Sequence, residues 1–346
     1  MSIKQFGGKV TDDLQRRYAH SPNWKDGKFE NLVKTEMEFS VWDMPKLLYK
    51  QFLDRVGREP RKPLPIAAFD KEAWERATET QIVWFGHSAV LLKLNGLTIL
   101  IDPMLGPDAA PIAPFKSARY SENVLDQIEH FPTIDLLLMT HDHYDHLDMT
   151  SIMKLKEKVR QYYVAMGVGR HLIKWGIDAS LVQEFDWWDE QVYEGLKLVF
   201  TPSRHFSGRG LSDRAKSLWG GWVIQSEKEK IYWSGDGGYG DHFKEVGVRF
   251  GPFDFGFMEC GQYNEHWHQI HMYPEESVQA ALDAKVKKSM AVHWAGFSLA
   301  MHSWKDPIER FEKEAAEENH QTVTPRIGEQ FSYLDHSSTN WWEEYE

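Results

Sequence analysis

The chain has 346 residues, of which 42% are hydrophobic and 27% charged, and its formal net charge is −12 at pH 7. This acidic balance argues against nonspecific binding to nucleic acid, because phosphate backbones are bound by basic surfaces. No run reaches the roughly 18 consecutive apolar residues of a membrane-spanning helix, and the first residues lack an apolar secretion segment. A single cysteine, Cys260, excludes an intrachain disulfide, so we expect a cytoplasmic protein.

The distribution of residue types along the chain changes near residue 80. Residues 1–79 mix prolines with charged and aromatic residues, and we expect them to form an N-terminal extension packed on the core. From there to residue 336, short apolar strands alternate with helices, which predicts one α/β catalytic domain followed by a tail at 337–346. Helices are predicted over 150–159, 274–284 and 307–318. The paired tryptophans of the tail are compatible with core packing or with a homo-oligomer contact.

The segment THDHYDHLD carries three histidines and an aspartate in the pattern HxHxDH. It follows the apolar run 134–139, which predicts a buried strand ending at the motif. His141 and His143 can project to the same side of an extended turn, and Asp145 and His146 come where the chain can enter a helix. Imidazole and carboxylate ligands suit zinc, and also manganese or iron, so the motif predicts a metal-dependent hydrolase.

A site with two metals needs further ligands, and three later residues have the same strand-then-ligand context. His205 follows the run 196–200 and a Thr-Pro breaker, and His293 ends the run 289–292. Asp236 lies where an aromatic strand enters glycines that let the backbone approach an ion. Singly each residue has a common structural explanation, but together they favour a dinuclear site.

With these residues in place, the chain resembles the metallo-β-lactamase superfamily, in the branch that contains the phospholipase D hydrolysing N-acylphosphatidylethanolamine. The resemblance covers roughly residues 80 to 335. Its further matching segments are 84–89, 98–104, 185–188, 218–222, 249–254 and 287–294. It implies a four-layer αββα sandwich with a dinuclear metal site at the sheet edge.

The resemblance also implies a role for each ligand. The first metal is assigned His141, His143 and His205, the second is assigned Asp145, His146 and His293, and Asp236 is the bridge between them. The two ions, expected to be zinc with manganese or iron as alternatives, would share a hydroxide that attacks phosphorus.

A group that assists the departing oxygen is also expected, and His271 is the candidate because it matches a family histidine beside the metals. The alternative is a loop histidine that bonds the nearby Glu275. His266 and His268 form another His-x-His pair, which we assign to the pocket wall because the ligand set is already complete.

Other polar residues are expected to support the site. His87 follows a strand and is predicted to lie under the metals as a supporting or packing group. Asp102 is predicted either to orient a ligand histidine or to bond turn amides. Basic residues near these blocks either position a phosphate or are ordinary solvated charges; they are Lys116, Arg119, Arg204, Arg209, Arg214 and Lys216.

Three functions remain open from the sequence. The first is a phosphodiesterase of phospholipase D type acting on N-acylphosphatidylethanolamine-like lipids, with peripheral membrane contact. The second is a hydrolase or lactonase of a small soluble phosphorylated substrate. The third is a non-hydrolytic metal-binding or redox protein, which is disfavoured because the sequence contains no flavodoxin-like domain.

The polar, aromatic loop 261–272 departs from the phospholipase pattern, and an apolar groove beside it would favour the lipid.

Overall fold

The computed structural model describes residues 4–37, 57–111, 116–210, 212–336 and 338–345, and within them the chain forms two seven-stranded sheets. Parts of the predicted extension and tail, residues 1–3, 38–56, 337 and 346, lie outside the described residues. The proposed boundary at residue 79 stays a prediction. The described helices are α1 (Asp12–Tyr18), α2 (Lys71–Arg76), α3 (Met149–Leu155), α4 (Gly169–Lys174), α5 (His242–Arg249), α6 (Pro274–Asp283) and α7 (Asp306–Glu317).

The extension contributes a short hairpin, β1 (Trp24–Lys25) and β2 (Lys28–Phe29). The first large sheet has the order β16-β3-β4-β5-β6-β7-β8. Its strands are β3 (Gln81–Trp84), β4 (Val90–Leu94), β5 (Leu97–Ile101), β6 (Leu136–Met139), β7 (Tyr162–Ala165), β8 (Val182–Phe185) and β16 (Gln330–Phe331). Antiparallel pairs join β16 to β5, and parallel pairs continue from β5 to β8.

The second large sheet has the order β15-β14-β13-β12-β11-β10-β9 and repeats this arrangement. Its strands are β9 (Glu190–Tyr193), β10 (Leu196–Thr201), β11 (Gly221–Gln225), β12 (Lys230–Trp233), β13 (Phe255–Glu259), β14 (Lys288–Val292) and β15 (Gln321–Thr322). Strands β9 to β12 are antiparallel, and β12 to β15 are parallel. The two halves therefore correspond, as the predicted sandwich requires.

The strands form where short apolar runs are buried on both faces. Every residue of β4, β6 and β13 is buried, which is why these strands appear in the sequence as continuous hydrophobic stretches. The sheets contact each other through aromatic side chains, since the Trp222 ring of β11 lies 5.1 Å from the Phe185 ring of β8. The Trp222 indole also donates to the carbonyl of Met139, 3.3 Å away, directly before the HxHxDH segment.

Helix α3 is shorter than the predicted helix 150–159, because it ends at Leu155. The backbone beyond it pairs with the start of the neighbouring strand: the amide of Ile134 donates to the carbonyl of Lys158, and Ile134 and Val159 form a parallel bridge. This tertiary pairing, together with the β-branched Val159, overrides the local helical pattern. Within the described residues, no helix is both long and apolar enough to cross a bilayer.

Candidate metal centre

The HxHxDH segment lies between the end of β6 and the start of α3. The turn after β6 is closed by the amides of His146 and Leu147, which both donate to the carbonyl of His143. Asp148 then caps α3, because its carboxylate accepts from the amides of Thr150 and Ser151. A buried strand on one side and a capped helix on the other therefore fix the four predicted ligands of this segment.

The three histidines assigned to the first metal converge on one point. The Nδ1 atom of His143 lies 2.9 Å from His141 Nε2 and 3.2 Å from His205 Nε2. Zinc–nitrogen bonds of about 2.0 Å in a tetrahedral arrangement place ligand nitrogens about 3.3 Å apart, so the spacing suits a shared ion. His205 is brought there by the loop that follows β10.

The residues assigned to the second metal form an adjacent cluster around Asp236. The Oδ2 atom of Asp236 lies 2.9 Å from His146 Nε2, 3.3 Å from His293 Nε2 and 4.0 Å from His141 Nε2. Asp145 Oδ2 lies 3.6 Å from His146 Nε2. Asp236 thus reaches ligands of both groups, which is the position that a bridging carboxylate needs.

Two observations support the fit of a metal to these residues. The Nε2 atom of His293 is buried and has no hydrogen-bond partner among the described residues, although buried polar atoms are normally satisfied. Burial also lowers the pKa of His141, His205 and His293 well below the usual range of histidine, so their rings are neutral, as ligation requires. The ligand roles themselves stay a prediction.

The far side of three predicted ligand rings is held by a partner that turns the other nitrogen toward the cluster. The Nδ1 atom of His205 lies 2.9 Å from the carbonyl of Ile270, and that of His293 lies 3.1 Å from Ser88 Oγ. His146 Nδ1 contacts Asp102 at 2.9 Å. Such outer contacts select the ring tautomer and orientation that a metal ligand needs.

Asp102 fulfils both of the roles predicted as alternatives. Its Oδ2 atom bonds His146, and its Oδ1 atom accepts from the amide of Thr140 at 2.9 Å. The Thr140 hydroxyl donates to the same carboxylate and lies 2.9 Å from His141 Nδ1. One buried aspartate therefore orients two ligand histidines, one of them directly and the other through Thr140.

His87 lies beneath the cluster, as predicted, and donates to Asp145 Oδ2 over 2.9 Å. Its ring is fully buried and lies 4.1 Å from that of His293. Both histidines have left-handed backbone conformations, with φ of +57° and +69°, and their neighbouring backbones form a bridge between His87 and Trp294. Left-handed non-glycine residues are uncommon, so the surrounding structure holds these two rings in place.

His271 lies beside the cluster and is held by Glu259, a residue that the sequence reading missed. His271 Nδ1 lies 2.8 Å from Glu259 Oε1, and its ring is 5.2 Å from the ring of His293. Burial alone would lower the pKa of His271, but the Glu259 carboxylate raises it above the usual value. The alternative pairing with Glu275 is wrong, because Glu275 bonds Arg310 at 2.6 Å and 2.8 Å.

A cavity of about 250 Å³ opens onto the cluster. Its wall combines predicted ligands with Trp267, Gln262 and His271 and with four apolar side chains, those of Met37, Phe206, Ile270 and Leu299. His266 and His268 are not part of this lining, so their assignment to the pocket wall is wrong. The backbone of their loop directs the intervening Trp267 inward, with its indole donating to the carbonyl of Gln262 over 2.7 Å.

Two further residues support the site without a signal in the sequence. Asp142, between the first two histidines, is buried and accepts from the amide of Gly208 at 2.7 Å and from His171 Nε2 at 3.1 Å. It therefore ties the motif to the His205 loop. Asn31 of the extension accepts from the amide of His205 at 3.1 Å and donates to its carbonyl at 2.8 Å.

The residues with expected structural roles lie in the core. Cys260 is fully buried, with its thiol 3.4 Å from the carbonyl of Pro307, so it is a small packing residue. Trp341 and Trp342 of the tail are also buried. The Trp341 ring stacks on the ring of Trp294, with 5.6 Å between the ring centres. Trp294 directly follows His293 in the sequence.

Comparisons with known proteins identify the family. The family model described as a beta-lactamase superfamily domain matches residues 98–294. An uncharacterized protein of Mycobacterium tuberculosis is 36% identical over 88% of this chain and 82% of its own length. N-acyl-phosphatidylethanolamine-hydrolyzing phospholipase D 1 of Caenorhabditis elegans is 29% identical over 68% of this chain and 69% of its own. The solved metallo hydrolase Igni18 of Ignicoccus hospitalis has the same fold, with a TM-score of 0.57, 21% identity, and coverage of 73% and 99% of the two chains.

Proposed function

Because the chain belongs to the metallo-β-lactamase superfamily and is a metal-dependent hydrolase of that fold, we propose that it cleaves a phosphodiester of the N-acylphosphatidylethanolamine type, with phospholipase D regiochemistry. The observation that carries the proposal is the convergence of seven side chains in two adjacent clusters joined by Asp236. The similarity to the nematode phospholipase supports the choice of substrate class.

In this proposal His141, His143 and His205 would hold one divalent ion, Asp145, His146 and His293 would hold the other, and Asp236 would be shared between them. Two such ions, most simply zinc, supply Lewis acidity and lower the pKa of a bound water. The chain's own contribution is a buried, oriented ligand set, since Asp102, Ser88 and the Ile270 carbonyl hold the rings of His146, His293 and His205.

His271 is proposed to supply the proton that the departing oxygen needs. Its Nδ1 is held by Glu259, which leaves Nε2 as the atom that can face the substrate. The hydrogen bond between Nδ1 and Glu259 favours the protonated ring that a general acid requires. His271 also lines the 250 Å³ cavity with the ligands His143 and His293, so the proton donor and the metal centre share one space.

The cavity wall favours a substrate with an apolar portion. Met37, Phe206, Ile270 and Leu299 contribute apolar surface to the cavity, and no arginine or lysine occurs among the described residues of its lining. A site for a compact phosphorylated metabolite would place cationic side chains there.

The small volume of about 250 Å³ supports the second candidate, a hydrolase or lactonase of a small soluble phosphorylated substrate.

Hydrolysis of N-acylphosphatidylethanolamine in mixed micelles tests the proposal. The assay uses protein with confirmed metal content and the Asp236→Asn variant as its control. Release of phosphatidic acid by the wild type, and much less by the variant, is the expected result. A metal-loaded wild type that leaves this lipid intact but hydrolyses small phosphorylated lactones would reject the lipid function in favour of the second candidate.

A further inference from the structure

Arg214 differs from the other basic side chains near His205, because it has no polar partner among the residues that the structure describes. Arg209 donates to the carbonyls of Gln5, Asp142 and Leu147. Arg204 donates to the carbonyls of Lys34 and Tyr239 and to the side chains of Thr35 and Gln269. Lys216 donates to the carbonyl of Gly27. Arg119, in the separate loop after β5, donates to three backbone carbonyls. These cations have polar partners, whereas Arg214 has none within the described ranges of the chain.

The acidic residues near Arg214 that the structure describes already have partners. Asp213, its neighbour in sequence, accepts from the backbone amides of Arg209 and Gly210. Glu36 pairs with Lys34 at 2.7 Å, and Glu30 lies 3.8 Å from Lys28. The Arg214 side chain is exposed to solvent, and a guanidinium is only weakly hydrated, so an anionic ligand can displace its water and pair with it.

Stacking on Phe206 places this cation next to the metal centre. The Arg214 Cζ atom lies 3.9 Å from the centre of the Phe206 ring, a typical cation–π contact. The centre of the same ring lies 4.6 Å from that of His143 and 5.1 Å from that of His205. A single aromatic ring therefore connects the unpaired guanidinium with two predicted ligands of the first metal.

A second cavity beside the centre receives the Arg214 side chain. It has a volume of about 700 Å³, and its lining includes Arg214, His205, Val33 and Trp219 together with the ion-paired residues Lys28, Glu30, Lys34 and Glu36. Met37, Phe206 and Ile270 line this cavity and also the 250 Å³ cavity over the metals. The two cavities thus share one apolar wall, along which a single elongated molecule can lie.

We propose that Arg214 forms an anion-binding subsite in the 700 Å³ cavity, where it binds a phosphate or carboxylate group of an amphiphilic substrate whose apolar portion lies along Phe206, Ile270 and Met37. The relevance of this subsite to turnover rests on the proposed function, because the subsite selects which substrates reach the metal centre. Its occupation supplies a negative charge that none of the described residues provides to Arg214. Arg214 acts here as a specificity residue and takes no part in bond cleavage.

Calorimetric titration of the metal-loaded protein with octyl phosphate, octanol and inorganic phosphate tests the subsite without requiring turnover. We expect Arg214→Gln to weaken octyl phosphate about tenfold, which corresponds to one lost charged contact. Octanol binding stays the same, and Arg214→Lys keeps most of the phosphate affinity because the positive charge remains. Arg249→Gln is the matched control, since Arg249 also stacks on an aromatic ring, 4.0 Å from that of Trp188, but lies outside the cavity lining.

The three ligands separate the sources of the anion. If only octyl phosphate weakens in Arg214→Gln, the subsite recognises an amphiphile; if inorganic phosphate weakens equally, it recognises a small phosphorylated molecule. Unchanged octyl phosphate affinity in Arg214→Gln, or an equal loss in Arg249→Gln, overturns the proposal. Arg214-dependent binding by a wild type that fails to cleave N-acylphosphatidylethanolamine would reject the proposed reaction and retain the subsite.

Discussion

Asp236 is the residue on which the two clusters depend, because its Oδ2 atom approaches His146 and His293 of one cluster and His141 of the other. Replacing it by asparagine keeps the shape of the side chain but removes the charge that both ions share. We expect Asp236→Asn to lose metal and activity together, by at least tenfold in turnover. Elemental analysis beside the micelle assay measures both quantities, and full metal with full activity would contradict the bridging role.

His271 is expected to act in chemistry and not in metal retention. His271→Ala should retain both ions and lower the turnover number by roughly 10²–10⁴, the usual cost of a lost general acid. The measurement is kcat at saturating lipid, with metal content determined on the same preparation. An unchanged kcat would remove His271 from the mechanism.

Glu259 is expected to act through His271, which makes it a positioning residue. Its carboxylate bonds His271 Nδ1 and the amide of Met272, so Glu259→Gln should lower kcat by about tenfold and leave KM nearly unchanged. In a protein that already carries His271→Ala, the same change should have little further effect. Additive losses in this double-mutant cycle would show that Glu259 works independently of His271.

At the scale of elements, the segment after β2 is expected to stabilise the metal centre. Asn31 bonds the backbone amide and carbonyl of His205, and the indole of Trp219 donates to Asn31 Oδ1 over 3.0 Å. Asn31→Ala should therefore weaken metal binding by about 10- to 100-fold, the usual effect of losing an outer support. Competition with a chelator of known affinity measures the change. The exposed Asn340→Ala is the control, and equal affinities in both variants would contradict this role.

The elements that place the ligands could be predicted from the sequence because each ligand follows a short apolar run that is buried on both faces. The strands ending before His141 and His293 were predicted within two residues of β6 and β14. Glu259 had a weak signal, as a carboxylate at the end of the apolar β13. Asn31 had none, since its partners are 174 and 188 residues away in sequence.

The basic residues illustrate a second limit of sequence-based prediction. The sequence near His205 contains several arginines, and each of them is an equally good candidate for binding a phosphate. Local sequence does not reveal which guanidinium groups are already bonded to backbone carbonyls. The structure separates them: Arg209 is 3% exposed and bonds three carbonyls, whereas Arg214 faces a cavity. A tertiary contact also explains the end of helix α3 at Leu155, four residues earlier than predicted, because the backbone of Lys158 pairs with that of Ile134.

At the scale of the whole molecule, metal binding should contribute to stability, since the predicted ligands follow strands of both sheets and are largely buried. An ion present at about 1,000 times its dissociation constant adds about 4 kcal/mol to the free energy of unfolding. Chelation should therefore lower the unfolding temperature by several degrees, as followed by calorimetry, and returning zinc should restore it. Equal unfolding temperatures with and without the chelator would be inconsistent with a metal bound in the folded state only.

The number of metal ions bound per chain tests the central claim most directly. Inductively coupled plasma mass spectrometry on protein purified without chelators, and again after reconstitution with zinc, gives this number. The seven converging side chains predict two ions per chain in the reconstituted wild type and fewer in Asp236→Asn. A reconstituted wild type that binds no stoichiometric metal would contradict the dinuclear centre and the hydrolysis proposed for it.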